Sequence, residues 1–461
     1  MPTNKSANPS FSIENLSDLV ESEIQYAHIP KWDLYLFHER INGIHFSRTE
    51  IEEQTNYSNL SYYIRVYRET GANEMGVGSI QLNSTNPLHI QKAIAQAHSL
   101  AAINVGPRYD LVSPGKTYAQ PLTYDKHIWG NPESFLESKG KEIQRNLQEI
   151  IPATTTAGHF RYFRKQKMLV NYLGFRKLKR SSNFSYEFSF KAEKEGKMAE
   201  YWPSGYFKLA RDLKFDHLVP EWASRARDAL NARPPSENEK IAVIFAPELV
   251  RKGLLMTAGD SATARALYEK SSHFAMGDRV GVEEFSLVDD GLIEGGLNTS
   301  AWDSEGNPKQ RTEVISHGIM QNYLYDQKYA TLLNQESTGN AQLNPKWGGS
   351  INIEMNNLVV EPGDQSLREI VQDCPRAILI INIPWLHPNP TSGDFGAPID
   401  NAYMIENGSM TTPVRGGTIF GNIYHMLHNI AAISKETRLV MNARVPYIKF
   451  RELQISSEIF H

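Results

Sequence analysis

The stretch NFSYEFSFKAE, residues 183–193, sets Phe184, Tyr186, Phe188 and Phe190 at every second position with polar residues between them. A period of two belongs to an extended strand, whose successive side chains leave on opposite faces. Four aromatic rings therefore line one face, and a face of that kind is stable only when a second layer covers it. The same alternation runs through WDLYLFHER (32–40), INGIHFSR (41–48) and LSYYIRVYRE (60–69), with turn residues between, which predicts a meander of strands over 32–82.

The covering layer is legible as well. In NPLHIQKAIAQAHSLAAIN, Asn86 suits the N-cap, Pro87 the first helical position, and Ile90, Ala93, Ile94, Ala97 and Ala101 form one apolar stripe. Asn131–Pro132 repeats that opening before Phe135, Leu136, Ile143, Leu147 and Ile150, and PEWASRARDALNA predicts a third helix. The prolines and charges of RPPSENEK (233–240) then mark the main boundary. Beyond it, IAVIFAP reads as a buried strand and ELVRKGLLMTAGDSATARALYEK as mostly helix. Residues 285–461 read as short strands separated by Gly, Asn and Asp turns. The fold class expected is α+β, divided into an N-terminal α+β domain (1–107), a middle α+β region with basic and aromatic strands (108–236) and a β-rich C-terminal domain (237–461).

Bulk properties exclude several classes. At 461 residues a large core is available, and no apolar run approaches the roughly 20 residues of a bilayer span, so no membrane role is expected. No apolar segment of a secretory signal is legible in MPTNKSANPSFSIENLSD, and the single cysteine, Cys374, permits neither an internal disulfide nor a multi-cysteine metal cage. A cytoplasmic location is the expectation. A net charge of −4 supplies no whole-molecule field toward nucleic acid.

Arg161, Arg164, Lys165, Lys167, Arg176, Lys177, Lys179 and Arg180 interleave with Phe160, Tyr162, Phe163, Tyr172 and Phe175, a mixture found in nucleic-acid grooves and equally in half-buried hairpins. Strand-period alternation favours a solvated sheet face. Ser261, in GDSATA, lies within a helical pattern without the glycine of a nucleophile elbow. Among the histidines only His38 precedes a glutamate, and His425 and His428 flank Met426 and Leu427 on a helix with no carboxylate, which favours packing over metal binding. Asp289, Asp290, Asp303, Glu305, Asp394 and Glu406 lie in turn-rich segments, where turn formation explains most of them and a hard-cation or acid–base site is the alternative.

Several strings of the second half, in one order, carry a resemblance. SLVDDGLIEGGLNTSAWDSEGNPKQRTEVISHGIMQNYLYDQKYA (286–330), STGNAQ (337–342), NNLVVEPGDQSLREIV (356–371) and TSGDFGAPIDNAYMIENGSMTTPVRGGTIFGN (391–422) resemble the TldD/PmbA family of peptidase-related proteins. The resemblance covers essentially all of 241–435. It implies an α+β N-terminal portion and a β-rich, barrel-like or sandwich-like C-terminal portion enclosing a cavity in a dimer. In the TldD branch a His-Glu-x-x-x-His helix and a cysteine near the C-terminus bind zinc. The corresponding helix here, GLLMTAGDSATARALYEK, holds neither histidine nor the glutamate, and no cysteine follows Asn422.

The chain is therefore more similar to the PmbA (TldE) branch, whose members lack that site and pair with a TldD-type subunit. The resemblance implies no metal, no cofactor, no catalytic residue of its own, a peptide substrate and a partner that is either a TldD-like metallopeptidase or a second copy. Asp303, Arg311, Asn340, Gly393, Asp394, Arg415, Gly416 and Asn422 are the candidate peptide-binding or cavity-lining residues. An extended peptide added as a strand along such a wall is one reading. Turn glycines with an internal ion pair at Arg415 are the other. A self-sufficient hydrolase using the C-terminal carboxylates, and a homodimeric peptide- or nucleic-acid-binding protein, stand as alternative functions.

Overall fold

The computed structural model describes residues 12–150, 154–345 and 348–458, so the start of the stretch read for a secretory signal, through residue 11, lies outside the described residues. The first element is α1 (Ile13–Tyr26), capped by the Ser12 hydroxyl, which accepts from the Asn15 N–H at 3.1 Å. The predicted meander follows as β1 (Trp32–Ser47), β2 (Glu50–Gly71) and β3 (Glu74–Leu82). Next come α2 (Pro87–Ala101), β4 (Val105–Pro107), α3 (Lys126–Gly130), α4 (Pro132–Gln148), β5 (Thr154–Asn171), β6 (Arg176–Lys194), β7 (Lys197–Tyr201), β8 (Ser204–Phe207) and α5 (Phe215–Ala229). The Asn86 and Asn131 side chains cap α2 and α4 as their sequence positions predict.

These strands form one antiparallel sheet in the order β4-β3-β2-β1-β5-β6-β7, with β8 on β6. Because β1 pairs with β5, residues on either side of position 107 share this sheet. One face carries the apolar stripes. At one end α1 and α2 cover Leu34, Leu36, Tyr62, Ile64 and Val66; at the other, α4 and α5 cover Phe160, Tyr162, Phe184, Tyr186, Phe188 and Phe190. Helix α2 lies directly on β3, and this is possible because Gly78 has no side chain: a Cβ there would sit 1.8 Å from the Ala97 carbonyl oxygen.

The C-terminal half opens with β9 (Glu239–Phe245) and a helical run made of α6 (Pro247–Leu249), a π-helical turn (Val250–Leu255) and α7 (Met256–Ser261), then α8 (Ala264–Tyr268). Its strands continue as β10 (Leu287–Asp290), β11 (Arg311–Ser316), β12 (Ile319–Met320), β13 (Ala341–Asn344), β14 (Ser350–Ile353) and β15 (Leu358–Val360). They end with β16 (Arg376–Asn382), β17 (Asp394–Pro398), β18 (Asn401–Glu406), β19 (Ser409–Val414), β20 (Thr418–Asn422), β21 (Ile430–Val440) and β22 (Ala443–Ser456). Three short helices intervene, α9 (Gln327–Leu332), α10 (Leu367–Gln372) and α11 (Ile423–His428). The main path of the second sheet is β12-β11-β10-β15-β22-β9-β16-β18-β19, with β17, β20 and β21 attached as branches. That path has two free ends, so the described strands form an open, branched sheet. Strand β22 is its hub, pairing with β15, β21, β9 and β20.

The other face of the first sheet corrects one expectation. The basic strand face is not solvated, because the C-terminal half lies on it. Tyr35, Tyr63, Leu169 and Phe175 share a buried cluster with Val112, Trp302 and Leu343. Polar bonds accompany the contact: Lys179 donates to the Trp302 carbonyl at 2.6 Å, Tyr118 to the Gly306 carbonyl at 2.8 Å and Lys116 to Asn307 Oδ1 at 2.6 Å. On the same face Arg65 and Asp33 form a buried bidentate pair at 2.6 and 2.7 Å, and the Tyr67 hydroxyl donates to Asp33 at 2.8 Å.

Substituting Gly78→Ala is expected to lower unfolding free energy by about 1–3 kcal/mol, since helix α2 must move off β3 to admit one methyl group. Urea denaturation of the variant beside the parent chain measures this.

Candidate functional site

The two halves meet in a cleft whose cavity measures about 560 Å³, within the usual range for ligand sites. Its walls come from three places. Tyr186 and Tyr201 belong to the first sheet and Trp202 to its β7–β8 loop, Glu221, Trp222 and Arg225 to α5, and Glu248, Arg251, Lys252 and Met256 to the helical run after β9. His387, Arg438 and Met441 complete the rim.

The π-helical turn shapes this wall. Widening the helix over Val250–Leu255 weakens its hydrogen-bond geometry, and such turns recur at functional sites. Here the widened turn points Arg251 at Asn442 Oδ1, reached at 2.7 and 2.9 Å, while Lys252 donates to the carbonyls of Ile383, at 3.0 Å, and Pro384.

The charges of the cleft are linked. Arg225 pairs with Glu221 one helical turn away and donates to the Tyr201 hydroxyl at 2.6 Å, and Arg438 reaches the same Glu221 at 3.4 Å. Burial pushes the Tyr201 phenol above its ordinary range and the Lys252 ammonium below its own. Glu248 Oε2 is enclosed and has no hydrogen-bond partner among the described residues, which leaves an acceptor free at the wall. Trp202, 60% exposed, offers a flat apolar surface at the mouth. Fixed charges, one free acceptor and an exposed indole suit a ligand with both a polar main chain and apolar side chains.

The helical run under this cleft was tested as a metal site. It carries Met256, Thr257, Asp260 and Ser261, with no imidazole and no thiolate. A zinc site requires about three protein ligands of the His, Cys or carboxylate type, and among the described residues no group of three such side chains is placed to hold an ion. The donor set does not fit zinc. Ser261 is buried and shares a 2.7 Å hydrogen bond with the Tyr424 hydroxyl, which donates to the Pro390 carbonyl at 2.8 Å. Cys374 is buried beside α10, its thiol directed at the Ile370 carbonyl at 3.1 Å. His425 and His428 lie on α11 with exposed rings, while Met426 and Leu427 make the packing contacts. The packing role expected for the two histidines is thus corrected, because both sit on the solvent side of the helix.

The candidates drawn from the resemblance fall into four places. Asp303 and Asn340 are buried together: Asp303 Oδ1 accepts the N–H groups of Glu305, Gly306 and Asn307, each at 2.9 Å, and its Oδ2 that of Ala341 at 3.1 Å. Asn340 donates to Asp289 at 2.7 Å and accepts from Thr338 at 2.7 Å. Gly393, Asp394 and Asn422 form a second group, where Asn422 caps α11 and donates to Asp394 at 2.7 Å, and a Cβ on Gly393 would strike the Tyr424 ring. Arg415 pairs with Asp400 at 3.2 Å, and Gly416, at φ +92°, passes against Pro234 of the linker. Arg311 is exposed and pairs with Glu313 at 2.9 Å.

The carboxylates divide likewise. Asp289, Asp303 and Glu305 are buried, Asp290 caps a turn at Leu292, and Glu406 pairs with Arg376 at the surface. The residues missed by sequence reading are those of the cleft. Glu221 and Arg225, four apart on α5, were the available signal.

Fold and cleft together define a two-part α+β protein whose cleft helix carries neither histidine nor cysteine. Residues 238–457, just under half of the chain, match the family described as the PmbA/TldA metallopeptidase C-terminal domain. A metalloprotease of Methanocaldococcus jannaschii is 29% identical over 228 residues, 48% of this chain and 49% of that protein. A zinc metalloprotease TldD homolog of Saccharolobus solfataricus is 28% identical over 222 residues, 48% and 49% of the two chains. The aligned stretches thus span about half the length of these relatives. The crystal structure of TldE from Thermococcus kodakarensis superposes with a TM-score of 0.83 over 96% of this chain and 99% of that one, at 22% identity, which extends the shared fold to the N-terminal half.

Two outcomes follow. Asp303→Ala is expected to cost about 1–3 kcal/mol or more, because it strands buried N–H groups, whereas Asp394→Ala at the surface leaves stability close to the parent value; chemical denaturation separates the two. Burial pushes the Asp289 carboxyl up to about 6 against the pull of Asn340, Lys309 and Asn356. The folded form then holds a proton that the unfolded form has released, so this contribution is complete below the ordinary carboxylate range and fades as pH rises through about 6. Asp289→Asn should flatten that part of the stability–pH curve.

Proposed function

We propose that this chain is a metal-free subunit of a TldD/TldE-type peptidase complex, acting in proteolysis or peptide maturation beside a TldD-like zinc metallopeptidase subunit. The observation that carries the reading is the cleft helix, which the resemblance sets against the metal-binding helix of the TldD branch and which carries Met256, Thr257, Asp260 and Ser261 with neither imidazole nor thiolate. The family match, and relatives named as metalloproteases, support a role in peptide cleavage. In this reading the cleft holds peptide while the partner supplies the hydrolytic ion, and self-association is the state available when the partner is absent.

The placement of the carboxylates gives little support to a self-sufficient hydrolase. Asp303 is fully engaged by backbone N–H groups, and Asp394 is tied to Asn422 at the surface. A nucleic-acid reading fares similarly, because Lys165, Lys167 and Lys179 face the C-terminal half instead of an outer groove.

Mixing this chain with a TldD-like partner and following hydrolysis of an unstructured peptide pool tests the proposal. Cleavage is expected in the mixture and from neither subunit alone. Trp202→Ala in this chain should raise KM about tenfold or more with little change in kcat. Cleavage by the chelator-treated chain alone, or a mixture no faster than its TldD-like component, would overturn the assignment.

A further inference from the structure

A second cavity, of about 200 Å³, lies between the polar face of the first sheet and the segment 297–309 of the C-terminal half. The side chains of Lys165, Lys167, Lys179, Lys208 and Lys309 line it, and no carboxylate does. Strand register explains the clustering. Lys165 and Lys167 are alternate residues of β5, Lys179 is the cross-strand partner of Lys167, and Lys208 follows β8 on the far side of β6. Lys309 enters from the opposite wall. The remaining lining is largely hydroxyl and amide, including Ser181, Asn183 and Thr299.

The cations are only partly compensated. Lys165 has Glu39 at 3.4 Å, Lys208 donates to the Leu297 carbonyl at 3.2 Å and Lys309 to the Asn298 carbonyl at 2.9 Å. Lys179 is held by the Trp302 carbonyl and lies 3.8 Å from the centre of the Trp302 ring. Carbonyls and a ring face orient an ammonium without neutralising it. Behind the wall, Asp303 and Asp289 already accept hydrogen bonds from elsewhere, and Glu354 acts on Lys167 and Lys309 from a distance. Burial and mutual repulsion depress the lysines, Lys208 to about 7 and Lys309, despite the pull of Asp289 and Asp303, to about 8. Like charges gathered in a closed space are costly unless an anion joins them.

We infer that this cavity binds a compact, multiply charged oxyanion of the oligophosphate class. A single carboxylate leaves most of the ammonium charge unmatched and is better held by an arginine fork, whereas lysines act as point charges that suit a chain of phosphates. Two sources carry that group, free inorganic oligophosphate and a nucleoside triphosphate. The site is separate from the peptide cleft and does not depend on the peptidase reading.

The full chain titrated with tripolyphosphate at constant ionic strength and pH 7, followed by calorimetry and thermal melting, tests the inference. Saturable binding and a raised Tm are expected, at least tenfold tighter than for acetate. Lys208→Met should abolish the ligand-induced shift while leaving the unliganded Tm equal or higher, because one repelling charge is gone. Lys165→Gln, a partly exposed member of the cluster, should weaken binding without threatening the fold, and Lys194→Met, remote and exposed, should change nothing. Affinity should fall as pH rises from 7 to 9, since Lys208 and Lys309 must take up protons on binding. An ATP arm assigns the source: tighter binding than tripolyphosphate points to a nucleotide, weaker to the inorganic chain. No saturable binding by the parent chain, or binding by Lys165→Gln and Lys208→Met as tight as the parent's, overturns the inference.

Discussion

Burying the polar face of the first sheet is the constraint from which the rest of the molecule follows. One face of β1, β2, β5 and β6 is apolar and needs only helices to cover it. The opposite face carries Asp33, Arg65, Lys165, Lys167 and Lys179, and it too is covered. Hydrophobic burial alone cannot stabilise such a contact, because each enclosed polar group must find a partner or shift its ionisation. The second half meets that demand with loop carbonyls, among them Trp302, Leu297 and Gly306, and with a small aromatic island around Phe175. Where partners run out, space remains, and the lysine-lined cavity of about 200 Å³ is that remainder.

Both cavities therefore arise along the same contact between halves, but they differ in chemistry. The larger is mixed in charge, open at Trp202 and floored by a helix whose π-helical turn turns polar side chains outward. The smaller is lined by charges of one sign. The helix that floors the larger cavity carries Met256, Thr257, Asp260 and Ser261, with neither imidazole nor thiolate. Its place is fixed by the close packing of Gly253 on Leu386 and of Gly259 on Met355.

How much of this was legible beforehand depended on the range of the interaction. Period-two and period-3.6 patterns act between neighbours, so α2 and α4 start at the asparagines that mark them, and Phe184 to Phe190 point into the core as their alternation demands. The role of the opposite face was not legible, because nothing local distinguishes a lysine facing solvent from one facing Trp302 far along the chain. The histidines of α11 misled in the same way: an apolar helix sequence suggested packing, yet its buried side is set by Met426 and Leu427 alone. The resemblance strings located the family, but their polar residues proved to lie in four separate places, two of them occupied by backbone N–H groups and helix capping. The cleft charges Glu221, Arg225 and Arg438 come from distant segments and carry no joint signature in a linear reading.

Strand β22 has a consequence in time. Strand β9 lies at 239–245, and its antiparallel partner is 448–455, so the centre of the second sheet cannot zip up until nearly the whole C-terminal half has emerged during synthesis. Pairings so distant along the chain are slow to form, since loop closure must precede any reward from contact. The first sheet, complete by residue 207, is free to fold while the second waits. During that interval its cationic face stands open to the cell, which makes the nascent chain, for a short period, a much more sociable molecule than the finished one.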